Sequence, residues 1–126
     1  MPLARRDLLL TAGVAACLIA ATLLGAPEAL GAHPFWAVQT GAIGAAGGAA
    51  IFVGLRLAGV RPAPVMWLGG AALVGAALAA HFGKAVFVAS FAENAMAGRA
   101  WYLGWFAVAG AACLALSGAL AHALRR

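Results

Sequence analysis

The sequence predicts an all-α integral membrane protein, a bundle of four transmembrane helices that forms a single domain over residues 1–126. Only 9% of the residues are charged and 66% are hydrophobic, whereas an ordinary soluble domain is about 25% charged. Four apolar runs also reach the length of about 20 residues that a helix needs to cross a bilayer. Because lipid offers no hydrogen-bond partners to an exposed backbone, each run is expected to be helical.

The four predicted helices cover residues 8–26, 34–58, 64–82 and 100–124. Pro27 and Glu28 close the first helix, and Pro34 opens the second near its first turn, where proline is favoured. Gly59 and Pro64 enclose a short connection between the second and third helices. This tight connection predicts that these two helices form a hairpin.

The connection between the third and fourth helices, residues 83–99, is the only one long enough to hold structure of its own. Its pattern predicts a short amphipathic helix in the membrane interface. The alternative is that the third helix extends towards Gly98. A linker rarely contains two phenylalanines and two valines in so few residues. The residues assigned to this interfacial element are Lys84, Phe87, Phe91, Glu93 and Asn94.

The basic residues predict the orientation in the membrane. Lys84 and Arg99 fall on one side, and the others fall on the opposite side, namely Arg5, Arg6, Arg56, Arg61, Arg125 and Arg126. Short cytoplasmic loops carry the excess of lysine and arginine, so both termini are predicted to be cytoplasmic, in a bacterial inner membrane. The net charge of +5 is attributed to this topology and to contact with anionic lipid, and no nucleic-acid partner is predicted.

The N-terminal region also resembles a twin-arginine export signal. Residues 5–10 read RRDLLL, an apolar stretch follows, and a candidate cleavage point lies after Ala32. The apolar run is longer than the roughly 7–15 residues of a usual signal core. A retained signal anchor is therefore the favoured interpretation, and cleavage would leave three helices in the same orientation.

Glycine positions predict how the helices associate. Lipid gives helices no hydrophobic reason to pack, so association depends on small residues that allow close approach. Packing within the chain is the first interpretation, and contact with another membrane protein is the second, because small residues occur on nearly every side of the second and third helices. The glycines assigned to helix packing or partner contact are Gly41, Gly44, Gly48, Gly70, Gly75, Gly110 and Gly118.

Few side chains could carry chemistry. No Asp, Glu, Lys or Arg lies near the centre of a predicted helix, and the carboxylates Asp7, Glu28 and Glu93 are near or outside helix ends, so neither a catalytic set nor a compact metal motif can be assembled. His33 and His81, both predicted at the non-cytoplasmic interface, are the candidates for holding a cofactor, although the sequence requires none. The polar residues that could line a path are Gln39, Thr40 and Ser117.

Two classes of function remain. In the first, the chain is a small non-catalytic subunit of a larger membrane complex, such as an energy-converting one. In the second, copies of the chain form a small channel or facilitator for a small solute. The expected partners are the lipid bilayer and either other membrane subunits or further copies of the chain. An enzyme would need a cofactor at His33 and His81.

Overall fold

The computed structural model describes residues 3–125; Arg126, one of the basic residues used to predict the orientation, lies outside this range. Over the described residues the chain is helical and contains no strand. Its elements in chain order are α1 (Arg5–Leu23), α2 (Ala26–Leu30), α3 (Ala37–Leu57), α4 (Pro62–Ala89) and α5 (Ala95–Ala123).

Four of these helices, α1, α3, α4 and α5, are long and apolar enough to cross a membrane. The predicted all-α chain with four such helices is therefore confirmed. By length and composition the chain is a multi-pass membrane protein. The orientation of the termini stays a prediction.

α5 lies at the centre of the bundle. It packs against α1, α3 and α4, whereas α3 and α4 scarcely touch each other. The tight turn at Gly59, where φ is 86°, joins α3 to α4 as expected. The two helices do not pack as a hairpin, however, because each uses α5 as its main neighbour.

The directions of the helices follow from their close contacts. Gly44 and Gly48 of α3 approach the backbone of Phe106 and Gly110 of α5 in the same order along both helices, so α3 and α5 run parallel. α4 and α1 both run antiparallel to α5. The starts of α1 and α4 therefore share one end of the bundle with the ends of α3 and α5, which we call the termini end. The opposite end is called the Lys84 end.

The prediction of a separate short helix between the third and fourth spans is wrong. α4 continues without a break through Lys84 to Ala89, because Gly83 is held against the backbone of Trp101 rather than ending the helix. The following residues, AVFVA, sustain the helix. The alternative of an extended third helix is closer to the structure, although the extension stops well before Gly98.

A tight turn, rather than a helix, connects α4 to α5. Phe91 and Ala92 adopt left-handed backbone angles, with φ of 55° and 64°. Asn94 then begins α5, since its side chain accepts a hydrogen bond of 3.0 Å from the backbone N–H of Ala97. These residues complete the connection without further secondary structure.

A short helix does occur between α1 and α3. α1 ends at Leu23, and Pro27 lies in the first turn of α2 instead of closing α1. Gly25 and Gly31 bound α2 with φ of 93° and 119°, a region that glycine enters at little cost. α2 thus folds the chain back over the Lys84 end.

Candidate functional site

A buried ion pair at the termini end joins α1 to α3. Asp7 and Arg56 are both fully buried. Nε and Nη2 of Arg56 each donate to Oδ2 of Asp7 at 3.3 Å, and the backbone N–H of Ala4 donates to the same oxygen at 3.2 Å. Arg56 also donates through Nη1 to the carbonyl oxygen of Val60, so this pair fixes the start of α1 against the end of α3.

Two further arginines bring the end of α5 to this pair. Nη2 of Arg125 lies 3.9 Å from Oδ2 of Asp7, and Nη1 of Arg6 donates to the carbonyl oxygen of Leu124 at 3.1 Å. Among the described residues, Oδ1 of Asp7 and Nε of Arg125 have no hydrogen-bond partner. The Asp7 carboxylate therefore lies close to arginines from the ends of two helices, α3 and α5.

A pair of hydroxyl groups lies one turn deeper on α1. Oγ1 of Thr11 and Oγ of Ser117 are 2.8 Å apart and both residues are buried. Sγ of Cys113 lies 3.9 Å from the same Ser117 oxygen. These contacts link α1 to α5 and place Ser117, one of the predicted path-lining residues, in a hydroxyl pair inside the bundle.

The other two predicted path-lining residues lie at the opposite end of the molecule. Gln39 is exposed, and its Oε1 accepts a hydrogen bond of 3.3 Å from the Tyr102 hydroxyl. Thr40 is buried and donates to the carbonyl oxygen of Ala37 at 3.1 Å. The structure therefore does not bring Gln39 and Thr40 together with Ser117.

An aromatic cluster occupies the Lys84 end, with Trp101 at its centre. The Trp101 ring lies 5.3 Å from that of Trp36 and 5.7 Å from that of His33. Its indole N–H donates to the carbonyl oxygen of Gly31 at 3.0 Å, and Nζ of Lys84 lies 5.7 Å from its ring centroid. This cluster attaches the α2 segment to α4 and α5.

The two histidines proposed as cofactor ligands do not share a cavity. His33 lines a small cavity with Trp36 and Trp101, and its Nδ1 accepts from the backbone N–H of Phe35 at 3.0 Å. His81 lines a different cavity and stacks edge-on with Phe82. Within residues 3–125, no group of three or more His, Cys, Asp or Glu side chains is arranged to hold a metal ion.

The cavity that contains His81 is a groove of about 950 Å³ between α2, α4 and α5. We call it the lateral groove. Small and branched apolar residues form most of its wall, and three ionisable side chains interrupt them. The residues that define it here are Glu28, Ala77, Ala80, His81, Lys84 and Trp105.

The residues predicted as one interfacial element have separate roles. Phe87 is half-buried in α4 and packs against Gly98, whereas Phe91 in the turn is 91% exposed. Glu93 is exposed in the same turn. Lys84 belongs to the lateral groove, and Asn94 caps α5, so the set does not form one surface.

The predicted packing glycines divide into two groups. Gly41 contacts Thr22 of α1, and Gly118 contacts α4 at Met66. The α3 and α5 glycines described above meet at the centre of the bundle. Gly70 and Gly75 of α4 differ from them, because a Cβ added at either position would meet nothing within 4 Å. These two glycines face away from the rest of the chain.

The ion pair is the feature that sequence reasoning missed. The predicted topology already put Asp7 and Arg56 on the same side of the membrane, and Asp7 was the single acid there among the arginines. Arg56 also falls in the last turn of an apolar helix rather than beyond it. A search for the partner of that arginine would have indicated Asp7.

Comparisons with known proteins add no assignment to this geometry. No protein-family model matches the sequence, and no characterised protein or solved structure matches the chain.

Proposed function

We propose that this chain is a non-catalytic subunit of a larger membrane complex and that α4 contacts another membrane subunit. The observation that carries the proposal is the one-sided packing of α4. Its neighbour is α5, with little contact to α3. A helix at the edge of a bundle is free to pack against a second protein in the bilayer.

The free side of α4 has the shape that a neighbouring helix requires. Its exposed residues recur at spacings of three and four, which aligns them along one side of the helix. Small residues lie in the middle and large ones at the ends, so the surface is concave, as at close helix contacts in membranes. We call this surface the outer face of α4, formed by Leu68, Ala72, Gly75, Ala79 and Phe82.

The closed interior of the bundle favours a subunit over a path through a single chain. Gly48 and Gly110 bring the α3 and α5 backbones into contact at mid-bundle. The buried hydroxyl pair of Thr11 and Ser117 lies towards the termini end, whereas Gln39 and Thr40 lie near the Lys84 end. A pathway for a polar solute would therefore need other chains to line it.

Purification from native membranes in mild detergent, with the mass of the intact particle measured, tests the proposal. We expect a different membrane protein to co-purify at a fixed ratio. Gly75→Leu should reduce that partner several-fold, because the added side chain fills the concave centre of the outer face. Gly47→Leu is the matched control, since Gly47 is an exposed glycine of α3 that also has open space around it.

Other results would overturn the proposal. A particle made only of copies of this chain would favour a homo-oligomeric channel, and solute flux into liposomes would then be measured. A partner retained equally by Gly75→Leu and Gly47→Leu would show that the outer face of α4 is not the contact.

A further inference from the structure

We propose that the lateral groove binds one phospholipid whose headgroup carries a primary amine, as in phosphatidylethanolamine. This inference concerns a different face of α4 from the proposed subunit contact and does not depend on that contact. It rests on the shape of the groove, its apolar wall and the charges along it.

The groove runs along the helix axis, as an acyl chain does in a bilayer. Its α4 wall extends from Ala77 to Ala89, a length on the order of 18 Å at 1.5 Å per residue. Ala77 and Ala80, with Val108 of α5, form its deeper part, where small and branched side chains leave room for a hydrocarbon chain. A volume of about 950 Å³ is that of a site for a large ligand.

The polar side chains of α4 lie at mid-length of its wall of the groove, at His81 and Lys84. Lys84 is half-buried beside Gly31 at the end of α2, and Glu28 of α2 lines the same groove. His81 and Lys84 thus lie between an inner apolar part at Ala77 and Ala80 and an apolar rim formed by Ala85, Val88 and Ala89. From the inner part to Lys84, the order of polarity is that of an amphiphile's hydrocarbon chain and headgroup.

The two opposite charges do not neutralise each other. Among the described residues, both ion pairs involve Asp7, and neither includes Glu28 or Lys84. The Lys84 ammonium lies over the Trp101 ring but has no carboxylate partner among the described residues, so it can donate to a phosphate, and the Glu28 carboxylate can accept from a cationic amine. A phosphate joined to a primary ammonium satisfies both groups, and its N–H bonds can be donated to the carboxylate.

Other lipid headgroups fit this arrangement less well. A glycerol headgroup offers no cation to Glu28. A choline headgroup offers a cation, but its quaternary nitrogen has no N–H to donate. The free headgroup has no acyl chain to pack against the apolar wall, so it would be held by charge contacts alone, and such contacts are worth little where water reaches them.

Native mass spectrometry of the delipidated full-length chain in detergent tests the proposal. The protein is titrated separately with dioleoyl lipids carrying ethanolamine, glycerol or choline headgroups, and with soluble phosphoethanolamine. We expect one tightly held ethanolamine lipid, bound roughly two- to five-fold better than the other two, which is the range that exposed or partly exposed charge pairs supply. Soluble phosphoethanolamine should not bind detectably.

Variants assign the effect to the groove. Glu28→Gln should remove the preference for ethanolamine while lipid still binds, and Lys84→Gln should weaken all three lipids. Ala77→Phe should exclude lipid by filling the apolar wall, with the helical circular dichroism and melting temperature unchanged because Ala77 is exposed. Glu93→Gln is the matched control, since this exposed acid lies at the same end but outside the groove.

Two results would overturn the proposal. Equal binding of the three lipids by the unmodified chain would remove the amine specificity. Binding that survives in a folded Ala77→Phe variant, or binding of soluble phosphoethanolamine as strong as that of the lipid, would remove the groove as the lipid site.

Discussion

Asp7 joins three segments of the chain, because its carboxylate contacts Arg56, Arg125 and the backbone N–H of Ala4. Among residues 3–125 it is the only acidic side chain at the termini end, and the fully buried guanidinium of Arg56 lies against it. A buried ion pair adds little net stability compared with apolar packing, because both charges lose their hydration. Removal of one partner strongly destabilises the fold, however, since the remaining charge stays buried and unpaired.

We therefore expect Asp7→Asn to destabilise the folded bundle by about 3 kcal/mol, the lower part of the range for breaking a buried pair. The change keeps the side-chain shape and removes the charge that Arg56 and Arg125 share. Unfolding in mixed detergent micelles, followed by circular dichroism, measures the loss.

The control for this prediction is Arg61→Gln, which removes an exposed arginine from the α3–α4 connection and should cost less than about 0.5 kcal/mol.

The double variant Asp7→Asn with Arg56→Gln should lose less stability than the sum of the two single variants, because Arg56→Gln removes the charge that Asp7→Asn leaves unpaired. Additive losses would contradict the pairing.

At the scale of the helices, backbone contact through glycine holds α3 against α5. A side chain at Gly48 would overlap the carbonyl oxygen of Gly110, whereas one at Gly47 would enter open space. The same helix therefore carries adjacent glycines with opposite roles. One permits close approach of two backbones, and the other faces away from them.

Gly48→Ala is expected to destabilise the bundle by roughly 1–3 kcal/mol, as overpacking does in closely packed interiors. Gly47→Ala should be neutral or slightly stabilising, because alanine is the better helix former. The same unfolding assay compares the two variants, and equal stabilities would contradict the contact between α3 and α5.

At the scale of the whole molecule, the two ends differ in chemistry. The termini end is rich in arginine, and the Lys84 end is rich in aromatic rings, with Glu28 and Glu93 among its exposed residues. Arginine in short loops favours the cytoplasmic side. The predicted orientation thus puts the aromatic cluster and the entrance of the lateral groove on the outer side.

Labelling of introduced cysteines tests this orientation. In a chain whose native cysteines are replaced by alanine, we expect Glu93→Cys to react with a membrane-impermeant maleimide in intact cells. Arg61→Cys, in the connection at the other end, should react only after permeabilisation. The opposite pattern would show that the chain is inverted in the membrane.

Hydropathy alone was enough to predict the number and type of the long helices, because the cost of exposing backbone polar groups to lipid leaves few alternatives. The helix limits were harder. Glycine is common at the ends of helices, yet Gly83 lies inside α4, where it allows the backbone of Trp101 to approach closely. A single sequence does not show whether a glycine ends a helix or serves a contact.

The candidate sites could be predicted only in part, because they depend on contacts between distant segments of the chain. The sequence indicated His81 as a candidate cofactor ligand and Lys84 as part of the connection after the third helix. The groove that both residues line could not be predicted, because it depends on where α2 lies. Asp7 and Arg56 are far apart in the chain, and their pairing depends on the antiparallel packing of α1 on α3. Such contacts between distant segments come from the tertiary arrangement rather than from local patterns.

The central position of α5 also has a consequence for biosynthesis. During translation α1, α3 and α4 emerge before the helix on which α3 and α4 chiefly pack, and α4 has almost no other contact in the bundle. Helices that insert one at a time associate only after insertion. Until α5 enters the bilayer, α4 therefore remains loosely held, although α1 and α3 can already pack on each other. A quality-control protease would have access to a chain that stalls before that step.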